Sequence, residues 1–300
     1  MSEISAGLAD PLDFLVIGHV TKDLRPDGSF SVGGSATFAS LTAQRLGLRA
    51  GIVTSAAPDL LARLPEAMPG VAIAAVPAAE STTFENLYVD GHRRQYLRGR
   101  AAPLGLGAVP AAWRQARIVL LGPLAQEVAP ELATAFDGAL LGASPQGWLR
   151  QWGADGLVSP TAWAAAGQAL PHLHALILSR EDVIAHNGGA GQQEQVEALL
   201  HAWAALTPLL ILTEGAQGAT LHEHGRARHF RAFPVREVDP TGAGDVFAAA
   251  FLIQYALGQD AAAATRFANC VASFVVEQPG AQGIPTPQQV AARLRQRAGG

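Results

Sequence analysis

Lysine is almost missing from this chain: among 300 residues Lys22 is the single lysine, and every other basic side chain in the combined 21 lysines and arginines is an arginine. Phosphate loops of the Walker type hold a lysine inside a glycine loop, and protein kinases hold one on a strand facing the phosphates. Lys22, in TKDL, stands in neither context. Any phosphate chemistry must therefore rest on backbone N–H groups, helix dipoles, arginine or a metal. Cysteine is as scarce. Cys270 is alone and forms no internal disulfide, so the fold does not depend on an oxidising compartment. Charged residues make up only 15% of the chain, its net charge is −4, and no run of five basic residues occurs, which argues against a general attraction for nucleic acid or anionic membrane. Long apolar runs are lacking too. The longest, Val246 to Ile253, is far too short to span a bilayer, and the N-terminal MSEISAGLADPLD shows no basic segment leading into an apolar one. The expectation is a cytoplasmic protein with small polar ligands and no nucleic-acid or membrane partner.

What is present is apolar: 49% hydrophobic residues, enough for a large core at this length. Short apolar runs at 13–18, 50–54, 71–77, 117–122, 138–143, 174–179 and 208–215 alternate with helical patterns at Ser35–Leu46, Ala125–Ala135, Gln192–Leu206 and Val246–Leu257. Several runs are continuous rather than alternating, as in parallel strands buried on both faces. The pattern predicts helices covering both sides of a parallel sheet. Segment 81–99 departs from this rhythm with two β-rich halves around Asp90-Gly91, a dipeptide suited to a tight hairpin. The expected product is a hairpin outside the main sheet that can serve as a lid. Its polar residues Glu85, Asn86, Arg93 and Gln95 either face a ligand or are solvated positions on an exposed hairpin.

The densest chemical signal is VDPTGAGDVFAAAFLIQYALG (238–258). A proline leads into Gly-Ala-Gly and then an apolar helix, so the helix N-terminus is stripped of side chains. Gly242 and Gly244 let backbone N–H groups approach an anion, and the helix dipole adds partial positive charge. Asp245 stands at the edge of this anion hole. A carboxylate there would repel a phosphate, so it is either a general base or a cap that complements the dipole. The dipole argues against an elevated pKa, so a base at this position accepts its proton late, as a loose phosphoryl-transfer transition state requires.

DPTGAGDVFAAAFL resembles the C-terminal signature of the ribokinase-like sugar kinases, the PfkB family. The resemblance implies a three-layer α/β/α sandwich with a mostly parallel central sheet, one domain over residues 1–300, and a small β lid formed by about 19–33 and 81–99. It also implies that Asp245 is the catalytic base, with Gly242, Ala243 and Gly244 as the anion hole. Asp239 and Thr241 would lie near the monovalent-cation site, for potassium, that some members possess. The likeness begins at FLVIGHVTKDL (14–24), where Asp23 matches an acid that binds substrate hydroxyls, and continues at SVGGSATFAS, where Gly33 and Gly34 match the paired glycines of the lid hinge. LTEGAQGATLHEHG (212–225) is similar to the family's Thr-x-Gly-x-x-Gly turn, giving Thr213, Gly215 and Gly218 to the nucleotide. Asn269, with Gly280 after Pro279, resembles the closure of the adenine pocket.

Two segments depart from the family. LSREDV (178–183) stands where an Asn-x-x-Glu motif linked to magnesium is usual, leaving Asp182 to reach Mg2+ through water; ASPQGWLRQW (143–152) lacks the leading acid of an Asp-Pro-Asn stretch. The implied activity is ATP-dependent phosphorylation of a hydroxyl on a sugar or cyclitol such as inositol, with ATP and Mg2+ bound. The rivals are a nucleoside kinase of the same fold and a non-catalytic sensor that keeps only the pocket. Exposed lid edges can pair between subunits, so a homodimer is open. The pairs His172/His174 and His222/His224, spaced to share a strand face, offer too few ligands for zinc. Trp148 and Trp152 read as packing residues.

Overall fold

A computed structural model describes residues 10–89, 92–186 and 193–298 of the chain. In chain order its strands are β1 Phe14–Ile17, β2 Thr21–Leu24, β3 Phe30–Gly33, β4 Ala50–Ala56, β5 Ala72–Pro77, β6 Thr83–Val89, β7 His92–Gly99, β8 Ile118–Leu121, β9 Leu140–Ala143, β10 Arg150–Trp152, β11 Val158–Pro160, β12 Ala175–Ser179, β13 Leu209–Thr213, β14 Ala219–Glu223 and β15 Arg226–Phe230. Its α-helices are α1 Ser35–Arg45, α2 Pro58–Leu61, α3 Leu64–Ala67, α4 Ala166–Ala169, α5 Arg180–His186, α6 Gln193–Ala204, α7 Ala243–Gly258, α8 Ala261–Val275 and α9 Pro287–Ala298. Among the described residues no helix is long and apolar enough to cross a membrane.

Nine strands form one sheet in the order β15-β14-β13-β12-β9-β8-β1-β4-β5, parallel throughout except for β14 and its neighbours at one edge. The continuous apolar runs serve two cores at once. Phe14 and Val16 of β1, Ile118 and Leu120 of β8, and Leu209 and Ile211 of β13 face the core shared with α1, α7 and α8. The residues between them, Leu15, Ile17, Val119, Leu121, Leu210 and Leu212, face the opposite core, which includes Trp113, Trp163, Trp203 and α6. Alternate side chains of a strand point to opposite faces, so an unbroken apolar strand requires cover on both sides. The result is the expected three-layer α/β/α architecture.

The chain runs outward from β1 through β4 to β5, then returns to β8 and runs the other way. The strand order therefore reverses between β1 and β8, the kind of crevice where open α/β sheets bind ligands beyond the carboxyl ends of their strands. Main chain meets main chain there: a Cβ on Gly18 would strike the Gly122 carbonyl.

β6 and β7 pair antiparallel outside the main sheet, as the expected hairpin does; Asp90 and Gly91 lie outside the described residues. It joins β2 and β3 in a four-stranded sheet of order β3-β2-β6-β7. One face of this sheet carries Phe84 and Leu97, which pack on Leu124, Ala125, Trp152 and Val158.

The helix expected over Ala125–Ala135 does not form. Only a 3-10 turn at Pro130–Thr134 is present, and the segment before it is held by Glu127. This acid is 1% exposed, and its carboxylate accepts backbone N–H groups of His19 at 3.0 Å, Leu124 at 3.0 Å and Ala125 at 2.7 Å. A carboxylate that collects N–H groups from its own segment competes with helical bonding. The histidine pairs do not share strand faces either. His172 is in a 3-10 turn, His174 precedes β12, and His224 turns out of β14 at a φ of 50°. Trp148 packs as expected, stacked on Trp163 at 4.9 Å. Trp152 packs as well, in the cluster of Phe84 and Leu97, with the Arg100 guanidinium over its ring.

Because Glu127 ties the end of β1 to the end of β8, Glu127→Ala is expected to destabilise the protein by about 3 kcal/mol or more, since it orphans several buried donors. Glu127→Gln, which keeps an acceptor oxygen, should lose less. Urea unfolding midpoints of the two variants give the comparison.

Candidate active site

The N-termini of α1 and α7 meet above the carboxyl ends of the central strands. Each is capped by a glycine with no side-chain cap: Gly34, with φ 93° and ψ 156°, and Gly242, with φ 79° and ψ −2°. Both φ values favour glycine, and neither position has room for a side chain. A Cβ on Gly242 would enter the ring of Phe38, and one on Gly34 would press on the His19 carbonyl and the Leu124 side chain. Ala243 and Gly244 follow in the first turn of α7, with Gly244 exposed. The donors there are thus open, and the dipole of a 16-residue helix points at them.

Asp245 is the third helical residue of α7, half-buried, and is not the cap. The hydroxyl of Ser35, the first residue of α1, favours its ionised form, and Phe38 of α1 packs against Gly242, so the two helix starts adjoin. The expectation of an unelevated pKa is overturned. Desolvation by the surrounding protein raises the Asp245 carboxyl from 3.8 to about 6; the Ser35 hydrogen bond and the Arg150 charge pull it down, and Asp182 and Asp23 push it up. The dipole of an exposed helix end is worth typically 0.3–1 kcal/mol, whereas a change from 3.8 to about 6 corresponds to on the order of 3 kcal/mol. Burial wins.

Asp23 sits at the middle of β2, half-buried, accepting the Thr21 hydroxyl at 3.0 Å. It lies over Gly33, where a Cβ would collide with its carboxylate, so the Gly33-Gly34 pair both seats Asp23 and starts α1. Asp23 is opposite Phe84 in the parallel pairing of β2 with β6. Asn86, two residues on, and Gln95 across from it therefore share the face of Asp23. Gln95 donates to Asn86 at 3.1 Å. Glu85 points the other way and pairs with Arg98 at 2.7 Å. Arg93 is opposite Tyr88 in the register, and its side chain lies outside the described residues.

Asp182 occupies the first turn of α5, where Ser179 accepts the Glu181 N–H at 3.1 Å. Its carboxylate has Gln146 at 3.4 Å and Arg150 at 3.7 Å. Sequence reasoning missed Arg150, Ser35 and Glu127. A polar residue in WLRQW or SATF gives no local hint that the fold will carry it to Asp245.

Thr213 ends β13, and its hydroxyl donates to the Leu178 carbonyl at 3.3 Å. Gly215 and Gly218, with φ 54° and 110°, shape the turn that follows, and a Cβ on Gly218 would strike the Phe230 carbonyl. Beside this turn Glu214 accepts Arg180 at 2.8 Å and Thr220 at 2.8 Å. Asn269 is buried in α8 with its amide spent on the Phe230 carbonyl at 3.1 Å, fastening α8 to the end of β15. Asp239 accepts the N–H of Thr241 and that of Gly280, each at 3.0 Å. Burial opposes ionisation of Asp239, but these bonds hold its carboxyl below the usual range. Among the described residues no three metal-ligating side chains cluster. A divalent ion here would be held by Asp182 through water and by its own phosphates, as Mg2+ accepts, and not by an all-protein cage.

A sequence profile described as pfkB family carbohydrate kinase matches residues 148–289. The ribokinase of Bacillus subtilis is 48% identical over 82 residues, which are 27% of this chain and 28% of that protein. The cytidine kinase of Thermococcus kodakarensis is 26% identical over 83% of this chain and 90% of its own length. Among solved structures, a pyrophosphate-dependent kinase in the ribokinase family, complexed with a pyrophosphate analog and myo-inositol, superposes with a TM-score of 0.75 at 22% identity, covering 93% of this chain and 99% of that one.

Folding disfavours ionised Asp245 relative to the unfolded chain, so the protonated form contributes to stability. That contribution is complete below about pH 3.8 and is lost as pH rises through about 6. Asp245→Asn, neutral at every pH, should therefore gain stability over the parent at pH 8 by up to about 3 kcal/mol. The gain should shrink to less than about 1 kcal/mol at pH 4. Chemical denaturation at both pH values reads the difference, and a gain independent of pH would trace it to repacking instead.

Proposed function

We propose that this chain, which belongs to the pfkB family of carbohydrate kinases, transfers the γ-phosphoryl group of ATP to a hydroxyl of a sugar or cyclitol. The observation that carries this reading is the placement of Asp245 beside the side-chain-free N–H groups of Gly242, Ala243 and Gly244, with Ser35 at the start of α1 adjoining it. The acceptor hydroxyl lies between Asp23 and Asp245. Asp23 orients it by accepting a neighbouring hydroxyl, and Asp245 takes its proton. A base titrating near 6 is largely ionised at neutral pH yet basic enough to accept a proton as the oxygen bonds to phosphorus. The N–H groups of Gly242–Gly244 receive the charge on the transferring phosphoryl group; removing one such donor typically costs about 2.7–4 kcal/mol.

The donor nucleotide lies along the turn of Thr213, Gly215 and Gly218. Asn269, by fixing the Phe230 carbonyl, shapes the wall behind the base rather than bonding to it. Asp239, Thr241 and Gly280 form a closed turn below the anion hole, and a monovalent cation such as potassium would sit against this turn's carbonyl groups. Asp182 would hold Mg2+ through its water shell, and the ion would neutralise donor phosphate charge. The four-stranded sheet acts as the lid, presenting Asn86 and Gln95 on the face of Asp23, with Arg93 near its tip. A polyol bears donors and acceptors in equal measure, and the Asn86–Gln95 amide pair offers both.

A nucleoside acceptor is the second reading. It is favoured by the relation to the cytidine kinase, which spans most of both chains.

A panel of sugars, cyclitols and nucleosides, each offered with ATP and with pyrophosphate, tests the reading by release of ADP or phosphate. Polyol turnover with ATP is expected, with an acid limb in kcat/KM near pH 6. Asp245→Asn should keep acceptor binding and lose about 10³-fold or more in kcat. Nucleoside turnover without polyol turnover would move the acceptor to the second reading. Tight acceptor binding without turnover of any acceptor would make the protein a sensor.

A further inference from the structure

The small sheet that carries Asp23, Asn86 and Gln95 is held to the body in two different ways. Its β2–β3 half is latched by side chains, Lys22 on Asp59 and the Arg63 guanidinium over Phe30. Its β6–β7 half packs only Phe84 and Leu97 on Leu124, Ala125, Trp152 and Val158, and the Leu97 N–H leans on the Gly156 carbonyl beside the two-stranded β10–β11 unit. The hydrogen-bonded route from β6 and β7 to the central sheet runs through their roots, Ser81-Thr82 before β6 and Arg100 to Ala102 after β7. Polar bonds gather there. The Ser81 hydroxyl accepts the Ala57 N–H and the Ser55 hydroxyl accepts the Ala102 N–H, each at 3.1 Å.

His19, just past the end of β1 and fully buried, bonds to both roots at once. Its Nδ1 lies 2.6 Å from the Thr82 hydroxyl and its Nε2 2.9 Å from the Ala102 carbonyl. Counting protons assigns each role. A carbonyl only accepts, so Nε2 carries the ring proton and donates it, and Nδ1 is left to accept from Thr82. The Thr82 oxygen in turn accepts the Ala101 N–H at 3.0 Å. The bonds run in one direction, from Ala101 through Thr82 and His19 to Ala102, and aligned bonds of this kind strengthen one another. The main chain of His19 reaches the other way: its N–H donates to Glu127 at 3.0 Å, and its carbonyl lies against Gly34, the cap of α1. Resting on the kinase reading above, we infer that His19 is a positioning residue, whose imidazole sets the angle at which β6 and β7 present Asn86 and Gln95 to an acceptor held at Asp23.

With no exposed surface and both ring nitrogens spent, His19 neither touches a ligand nor exchanges a proton with one. Its effect is geometric. The same residue backs the Gly34 cap, next to Ser35 and Asp245, and holds the roots of the strands that face the acceptor. A shift of about 1 Å between acceptor and base can cost about 10²-fold in rate. The imidazole also fits the task by carrying an acceptor and a donor on separate atoms of one rigid ring. Glutamine in its place reaches the Ala102 carbonyl but gives up Thr82, and asparagine reaches Thr82 but gives up Ala102, so each releases one root.

The test compares His19→Ala, His19→Gln, His19→Asn and Thr82→Val with the parent, by amide hydrogen exchange and by kinetics with the acceptor that the panel identifies. Exchange in β6 and β7 is expected to rise about tenfold or more in His19→Ala and Thr82→Val, while β1, β4 and β8 keep the parent's protection. Acceptor kcat/KM is expected to fall about 100-fold in His19→Ala, chiefly through KM, with donor KM within about threefold of the parent. The glutamine and asparagine variants, each keeping one ring bond, should retain more of acceptor kcat/KM than alanine, and they serve if the alanine variant does not fold. Exchange that rises equally in the central strands, or donor and acceptor KM that rise together, would overturn the inference, because His19 would then support only the fold. A folded His19→Ala with an unchanged acceptor KM would overturn it too, leaving the kinase reading intact. A parent that turns over no acceptor sinks the kinase reading, and the exchange measurement then decides the clamp alone: β6 and β7 no more open in the variants than in the parent would sink that as well.

Discussion

The close approach of the α1 and α7 starts, with Asp245 beside Ser35 and Gly242 packed against Phe38, is the constraint on which the arrangement of the site depends. It brings together the first turns of two helices whose dipoles repel at their positive ends. A carboxylate between them is the natural mediator, since each helix start favours negative charge nearby. Yet the same carboxylate is wrapped by protein and faces two other acids, and these effects hold its pKa near 6. A group in that balance is neither a fixed anion nor a permanent acid. It changes protonation at little energetic cost close to neutral pH, which a general base needs.

Around this contact the backbone takes over work that side chains do in other phosphate-handling proteins. Gly34 and Gly242 cap their helices at positive φ, one against the His19 carbonyl and the other against the Phe38 ring. The consequence is geometric. With no side chain between the α7 N-terminus and the crevice, an anion can reach the N–H groups directly, and Phe38 closes the space behind Gly242. On the proposed function the shortage of lysine is no deficit, because aligned backbone N–H groups meet the charge of the donor. Backbone donors lose less conformational freedom than a flexible ammonium when they bind.

Much of the fold was legible because its signal is local and repeated. Each continuous apolar run became a strand with its residues shared between two cores, as Phe14, Leu15, Val16 and Ile17 illustrate. The Asp-Gly hairpin and the glycine-led helix were readable for the same reason. Where the reading failed, a distant partner decided the outcome. Residues 125–135 carry a helical pattern, but Glu127 bonds to His19, more than 100 positions earlier, and holds the segment open. The pKa of Asp245 was misjudged because the dipole is visible in sequence and burial is not.

On the proposed function, these placements divide recognition from chemistry. Asp182 stands in the first turn of α5, directly after β12, and Asp245 on α7, elements anchored in the two cores through Val183 and through Val246 and Phe247. Asp23, Asn86 and Gln95 stand on the small sheet, whose contact with the body is narrower: Phe84 and Leu97 against Leu124, Ala125, Trp152 and Val158. Asp23 takes part in both, since it rides on β2 yet is seated against Gly33, the residue before the α1 cap. A change in the outer strands β6 and β7 can therefore alter which hydroxyls are presented without moving the base, whereas a change at Gly33 or Gly34 disturbs both at once. On the proposed function, substitutions at Asn86 and Gln95 act on acceptor choice and those at Ser35 on the rate of the chemical step.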